Sequence, residues 1–190
     1  MIEAIKTCLR AEAKALVDLS QTIDDKIIPF LDKLSQCKGK RCFTGVGKSL
    51  IVAEKIASSF SSIGYSSIEV DPLRLLHGDL GILSKNDIIV AISNSGETEI
   101  LLTAVRNAAQ LGVEVISITS NNESTLAQLS SCHVQVKVDE AGAFKVIPSS
   151  STTAVMALGD AILCGLIERD GVTIDSFRRL HPGGQLGMNL

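Results

Sequence analysis

The chain has 190 residues, 45% of them hydrophobic and 21% charged, with a formal net charge of −3. A chain of that size holds one domain with a substantial core, and that balance excludes a disordered polymer. Five Phe, one Tyr and no Trp, with 18 Lys and Arg against 21 Asp and Glu, leave no basic or aromatic footprint for nucleic acid.

The first twenty residues, MIEAIKTCLRAEAKALVDLS, carry Glu3, Glu12 and Asp18 and no unbroken apolar run, so they do not read as a signal peptide. Nothing is expected to span a membrane, because the apolar segment 154–167 is interrupted by Asp160. Residues 2–34 read as helix, with Ile2, Ile5, Leu9, Ala13 and Leu16 at helical spacing. A break at 21–24 offers an N-cap for a second helix, which Pro29 is expected to kink.

After Lys38-Gly39-Lys40 the pattern changes. β-Branched runs at 41–44, 67–70, 87–93, 113–119 and 133–138 alternate with helical stretches near 47–62, 71–77, 97–111, 123–130 and 150–169. Strand–helix alternation with central strands apolar on both sides predicts a parallel sheet covered on both faces, in one domain without repeats or linkers. Ligands of such sheets bind beyond the carboxyl ends of the strands. The five cysteines, at 8, 37, 42, 132 and 164, match no zinc or disulfide spacing and read as reduced thiols of a cytoplasmic protein.

The loops at that edge carry the chemistry. TGVGKS, at 44–49, ends like a nucleotide P-loop, but Cys42 stands where the first glycine is required. The loop is too short to wrap a triphosphate; Gly47, Lys48 and Ser49 suit one anionic group at a helix start. SNSGETE, at 93–99, offers Ser93, Asn94, Ser95, Gly96 and Thr98 as a phosphate cradle. Its Glu97 is either a first-turn glutamate favoured by the helix dipole or a general base. The hydroxyl run Ser149, Ser150, Ser151, Thr152 and Thr153 exceeds what one helix end needs and reads as a second side of the same anion site. Glu140 follows the last strand onto the ligand-bearing edge. His133 reads as structural, whereas His77 and His181 stand beside glycines in loops.

GVGKS (45–49), HGDLG (77–81), AISNSGETEI (91–100), PSSSTTAVMALGDA (148–161) and HPGGQLG (181–187), in that order, resemble the sugar isomerase (SIS) domain and within it the arabinose-5-phosphate isomerases. The resemblance implies a three-layer, doubly wound α/β sandwich with a five-stranded parallel sheet of flavodoxin-like order. It implies a single SIS domain over 1–190, with N-terminal helices at 1–37, an α/β core at 38–170 and an active-site tail at 171–190. It also implies interconversion of D-ribulose 5-phosphate and D-arabinose 5-phosphate through an enediol, supplying 3-deoxy-D-manno-octulosonate, in a cytoplasmic homotetramer with shared active sites.

No metal or cofactor is implied. The family's catalytic positions match Lys48, Glu97, Glu140 and His181, and its substrate-contacting histidine loop matches His77. The residues expected to bind substrate and phosphate are Gly47, Ser49, Gly64, Tyr65, Asp71, Ser93, Asn94, Ser95, Gly96, Thr98, Ser149, Ser150, Ser151 and Thr152. Either Glu97 or Glu140 would take the proton from carbon, His77 or His181 would serve ring opening, and Lys48 would meet the developing charge.

Two departures stand out. Asp71 replaces a histidine that many members carry and that is associated with inhibitory zinc, and the chain ends at Leu190 without the regulatory cystathionine-β-synthase pair. The rival readings are a 6-phospho-3-hexuloisomerase and a non-catalytic phosphosugar sensor; against the sensor, the first 35 residues show no basic helix-turn-helix pattern.

Overall fold

The computed structural model describes residues 1–142 and 144–183. In chain order the elements are α1 (Ile2–Thr22), a 3-10 turn (Asp25–Ile27), α2 (Ile28–Gln36), β1 (Arg41–Gly45), α3 (Lys48–Ser62), β2 (Ser67–Glu69) and α4 (Pro72–Leu76). A second 3-10 turn (Asp79–Ile82) leads to β3 (Ile88–Ile92), α5 (Glu99–Gln110), β4 (Glu114–Thr119), α6 (Thr125–Leu129), β5 (Cys132–Gln135), α7 (Ser150–Asp170) and α8 (Ile174–Leu180).

The sheet runs β2-β1-β3-β4-β5, and every pairing is parallel. Period-two alternation sends Phe43, Ile88, Val90, Ile92, Ile116 and Ile118 into a core with α2, α3 and α7. Cys42, Ile89, Ala91 and Val115 pack on the other face against α4, α5 and α6. Both faces are therefore covered, as the doubly apolar strands require. The three-layer, flavodoxin-like arrangement expected from the sequence is the arrangement observed.

Local chemistry explains the boundaries. The N-terminal helix ends at Thr22, and Asp24 caps the following 3-10 turn by accepting from the Lys26 amide at 2.9 Å. Pro29 does not kink α2. It lies in the first turn, where its missing N–H has no helical acceptor to lose. α8 was not anticipated; Thr173 caps it by accepting from the Ser176 amide at 3.2 Å.

By length and composition alone α7 could cross a membrane, with a mean hydropathy of 1.5. In the fold its Ala154, Leu158, Ile162 and Leu166 recur at helical spacing and are buried in the core shared with α3. Its contact with α3 is close: a Cβ on Gly159 would lie 2.6 Å from Ile56 Cδ1.

The amino ends of the strands are a structural edge. Arg41, 5% exposed, donates to the carbonyls of Leu34 at 2.8 Å and of Ser35 and Cys37 at 3.3 Å, closing the end of α2. The Tyr65 ring lies 4.5 Å from the Arg41 guanidinium, and its hydroxyl donates to Asp170 at the end of α7.

Candidate active site

β1 leaves the sheet toward α3 on one face, and β3 leaves it toward α5 on the other. The crevice between their carboxyl ends is the topological switch point of the sheet. The β1 exit is tight. A Cβ on Gly45 would sit 2.9 Å from the Ile92 carbonyl, and Gly47, at φ 61°, takes a left-handed turn into α3. That turn brings Lys48 and Ser49 to the crevice.

A cavity of about 470 Å³ opens there, with Lys48, Ser49, Asn94, Glu140, Ser151 and Thr152 in its wall. Lys145 also lines it. This lysine is the one non-glycine with positive φ (48°) among the described residues, and sequence reasoning passed over it, although a basic side chain in the loop after the last strand was a readable signal. Lys48 makes no ion pair among the described residues.

A larger groove of about 780 Å³ lies between α1 and residues 137–142 with Lys145. It receives nothing from the loops after β1 and β3, so the smaller cavity is the candidate site. Glu140 and Lys145 line both spaces, so the two adjoin.

Glu140 is held tightly. Its Oε2 accepts from the Ser149 amide at 2.8 Å, the Ser149 hydroxyl at 3.1 Å and the Ser151 amide at 3.2 Å, while Oε1 accepts from the Ser151 hydroxyl. Burial pushes the carboxyl up. The Ser151 hydroxyl, the two amides and the Ser149 hydroxyl outweigh that and hold it below its ordinary value. The hydroxyl run therefore grips a carboxylate of the chain itself. Ser149 and Ser151, expected to bind phosphate, here donate to Glu140. Ser150 is fully buried, its Oγ without a hydrogen-bond partner among the described residues.

The SNSGET loop is shaped by its own side chains. Ser93 Oγ accepts from the Gly96 amide at 3.1 Å and lies 3.3 Å from Thr98 Oγ1, and Ser95 Oγ accepts from the Glu97 amide at 3.2 Å. The Asn94 carbonyl accepts from the Ser120 amide and hydroxyl at 2.9 and 2.7 Å, fastening the loop to β4. Gly96 (φ 71°) presses against α6, where a Cβ would lie 2.3 Å from Ser124 Oγ.

Glu97 does not line the cavity. Its Oε1 accepts from the Thr125 amide at 2.8 Å, so it caps α6 and not its own helix, and Thr125 draws its carboxyl below its ordinary value.

The remaining expected site residues lie elsewhere. Asp71 follows β2 and accepts from the Leu73 amide at 2.7 Å as the cap of α4, and exposed His77 ends that helix. Gly64 and Tyr65 precede β2 at the amino edge, across the sheet from the cavity, and do not line it. His181 belongs to that far side too. Its ring stacks on Phe177 at 3.9 Å, its Nδ1 lies 2.8 Å from the Phe177 carbonyl, and a Cβ on Gly64 would stand 3.5 Å from neighbouring Leu180 Cδ1. Residues 184–190 of the expected active-site tail, with most of HPGGQLG, lie outside the described residues.

A family model described as SIS domain matches residues 33–164. Arabinose 5-phosphate isomerase KdsD of Escherichia coli strain K12 is 38% identical over 189 residues, covering 99% of this chain and 58% of that protein. The Pseudomonas aeruginosa protein of the same name is 36% identical over 190 residues, covering 100% of this chain and 58% of its own length. The chain thus spans about 58% of the length of these curated relatives. A solved structure from E. coli CFT073, in complex with arabinose 5-phosphate, superposes with a TM-score of 0.91 at 36% identity, covering 95% of this chain and 97% of that one. Vibrio vulnificus NanR, complexed with ManNAc-6P, shares the fold at 23% identity, with a TM-score of 0.82 over 95% of this chain and 69% of that one.

Proposed function

Because the chain belongs to the SIS domain family, we propose that its strand-end cavity interconverts D-ribulose 5-phosphate and D-arabinose 5-phosphate. The observation that carries this reading is the Glu140 carboxylate, fixed in the wall of a switch-point cavity that Lys48 also lines. The likeness to the KdsD proteins and to the sugar-phosphate-bound E. coli structure supports the choice of pentose.

Moving a carbonyl between C1 and C2 takes a proton from one carbon and returns a proton to its neighbour through an enediol. Glu140 is ionised and oriented to take that proton. Lys48, with Lys145, meets the negative charge that develops on the enediol oxygens. Ser49 and the loop of Ser93, Ser95 and Thr98, ahead of the positive end of α5, grip the phosphate and keep the reacting carbons in place. The reaction asks for no redox cofactor or metal.

Glu97, His77 and His181 lie outside the single-chain cavity, so their part in catalysis calls for neighbouring copies, in keeping with a homotetramer. The exposed apolar stripe Ile2, Ile5 and Leu9 on α1 supports assembly. We place the protein in the cytoplasm, supplying 3-deoxy-D-manno-octulosonate synthesis. The test is to follow ribulose 5-phosphate by NMR in deuterated water with purified protein. Arabinose 5-phosphate is expected, and its absence overturns the assignment.

A further inference from the structure

Each hydroxyl in the 149–153 run now has a place. Thr152 Oγ1 donates to the Ser149 carbonyl at 3.0 Å, and Thr153 Oγ1 donates to Glu12 Oε2 at 3.3 Å, joining α7 to α1. Ser150 is buried in the fold. Ser149 and Ser151 spend both their amides and their hydroxyls on Glu140. The start of α7 is thus already occupied by an anion, one delivered by the chain nine to eleven residues upstream.

Four donors from Ser149, the N-cap of the 21-residue α7, and Ser151 in its first turn leave the carboxylate little rotational freedom. Residues 136–142 and 144–148, by contrast, lie in no helix or strand. Without the clasp, Glu140 would follow that loop. The Ser149 hydroxyl also lies 3.0 Å from the Ala141 amide, from which it accepts, so the clasp fixes the backbone beside Glu140 as well as its side chain.

We propose that Ser149 and Ser151 are positioning residues for Glu140, setting the orientation of its carboxylate at the cavity, and are not ligands of substrate phosphate. The inference rests on the reading of Glu140 as the base. It makes the rate of proton transfer, and not affinity for the phosphate, depend on these hydroxyls.

Ser151→Ala and Ser149→Ala, compared with wild type, test it by two measurements. In the first, the Glu140 carboxyl carbon is titrated by NMR on protein labelled with ¹³C at glutamate, assigned through Glu140→Gln. Loss of a hydroxyl donor that favours the charged form moves the midpoint upward, by about one pH unit for Ser151→Ala. In the second, steady-state kinetics with ribulose 5-phosphate are expected to show kcat lowered about tenfold or more, with KM within about twofold of wild type. The acid limb of the pH profile should move upward with the midpoint, and competitive inhibition by inorganic phosphate should be unchanged.

A KM and a phosphate inhibition constant that rise together in both variants, with the Glu140 midpoint unmoved, overturn the proposal and return the hydroxyls to the phosphate. An inactive wild type whose Glu140 midpoint still shifts in the variants defeats the isomerase reading and leaves the clasp standing. Ser149→Ala carries the decision alone if Ser151→Ala does not fold.

Discussion

Asp87 and Lys40 meet twice: the Asp87 carboxylate accepts from the Lys40 amide at 2.6 Å and pairs with the Lys40 ammonium at 2.9 Å. The Ser84 amide, at 2.8 Å, completes the set and ties the turn before β3 to the start of β1. Burial pushes the Asp87 carboxyl up, but the Lys40 amide and ammonium and the Ser84 amide outweigh it and hold it below its ordinary value. A carboxyl depressed in the folded state stabilises the protein above its unfolded value. That contribution is lost as pH falls through the folded value. Wild type is expected to lose stability on acidification below the ordinary carboxylate range. Asp87→Ala, which strands two amides, should lose about 3 kcal/mol at neutral pH in urea unfolding and show a flatter acid dependence.

Glu140→Gln retains hydrogen-bonding capacity at the start of α7 but removes the proton acceptor. We expect kcat to fall about 10²-fold or more, with the melting temperature within a few degrees of wild type, measured by turnover and calorimetry on the same sample. Near-wild-type turnover would remove Glu140 from proton transfer.

Lys48 is exposed and unpaired among the described residues, so Lys48→Ala should leave stability unchanged within about 0.5 kcal/mol. Turnover should drop about 10²-fold, the usual scale for removing one group that meets developing charge. A destabilised variant with proportionate activity would make Lys48 a structural residue.

Gly96→Ala places a methyl group where Ser124 Oγ already lies, at a backbone angle that alanine rarely adopts. The expected loss is about 1–3 kcal/mol in thermal unfolding, accompanied by a raised KM because the loop proposed to grip the phosphate must shift. An unchanged KM would separate this loop from substrate binding.

Burial pushes the Cys42 thiol up to about 12, so it stays protonated at pH 8, while Cys164 is exposed on α7. Iodoacetamide should label Cys164 in the native protein and reach Cys42 only after denaturation, as read by peptide mass spectrometry. Native labelling of Cys42 would mean that β1 opens well below global unfolding.

The layers of the fold were legible because their signals are local. Ile88 to Ile92 are apolar at every position, which a strand tolerates only when helices cover both its faces. Cys42 removed the triphosphate loop by simple counting, and Gly47 marked the turn that presents Lys48. The roles of the glutamates were less accessible. Glu97 stands in a phosphate-like loop yet reaches across 28 residues to the Thr125 amide. The hydroxyl run did call for an anion, but its string of letters could not say that Glu140 supplies one.

The sequence by itself determined the strands, the helices that cover the sheet and, through the family resemblance, the sheet order, since hydrophobic period and glycine placement act between near neighbours. Only the tertiary structure decided which polar groups meet. It brought Lys48, Asn94 and Glu140 to one cavity from three different loops, and it sent Tyr65 and His181 to the opposite edge. The physical reason is that a hydrogen bond or an ion pair depends on distances of about 3 Å, and the path of the backbone through space sets those distances between residues far apart in the chain.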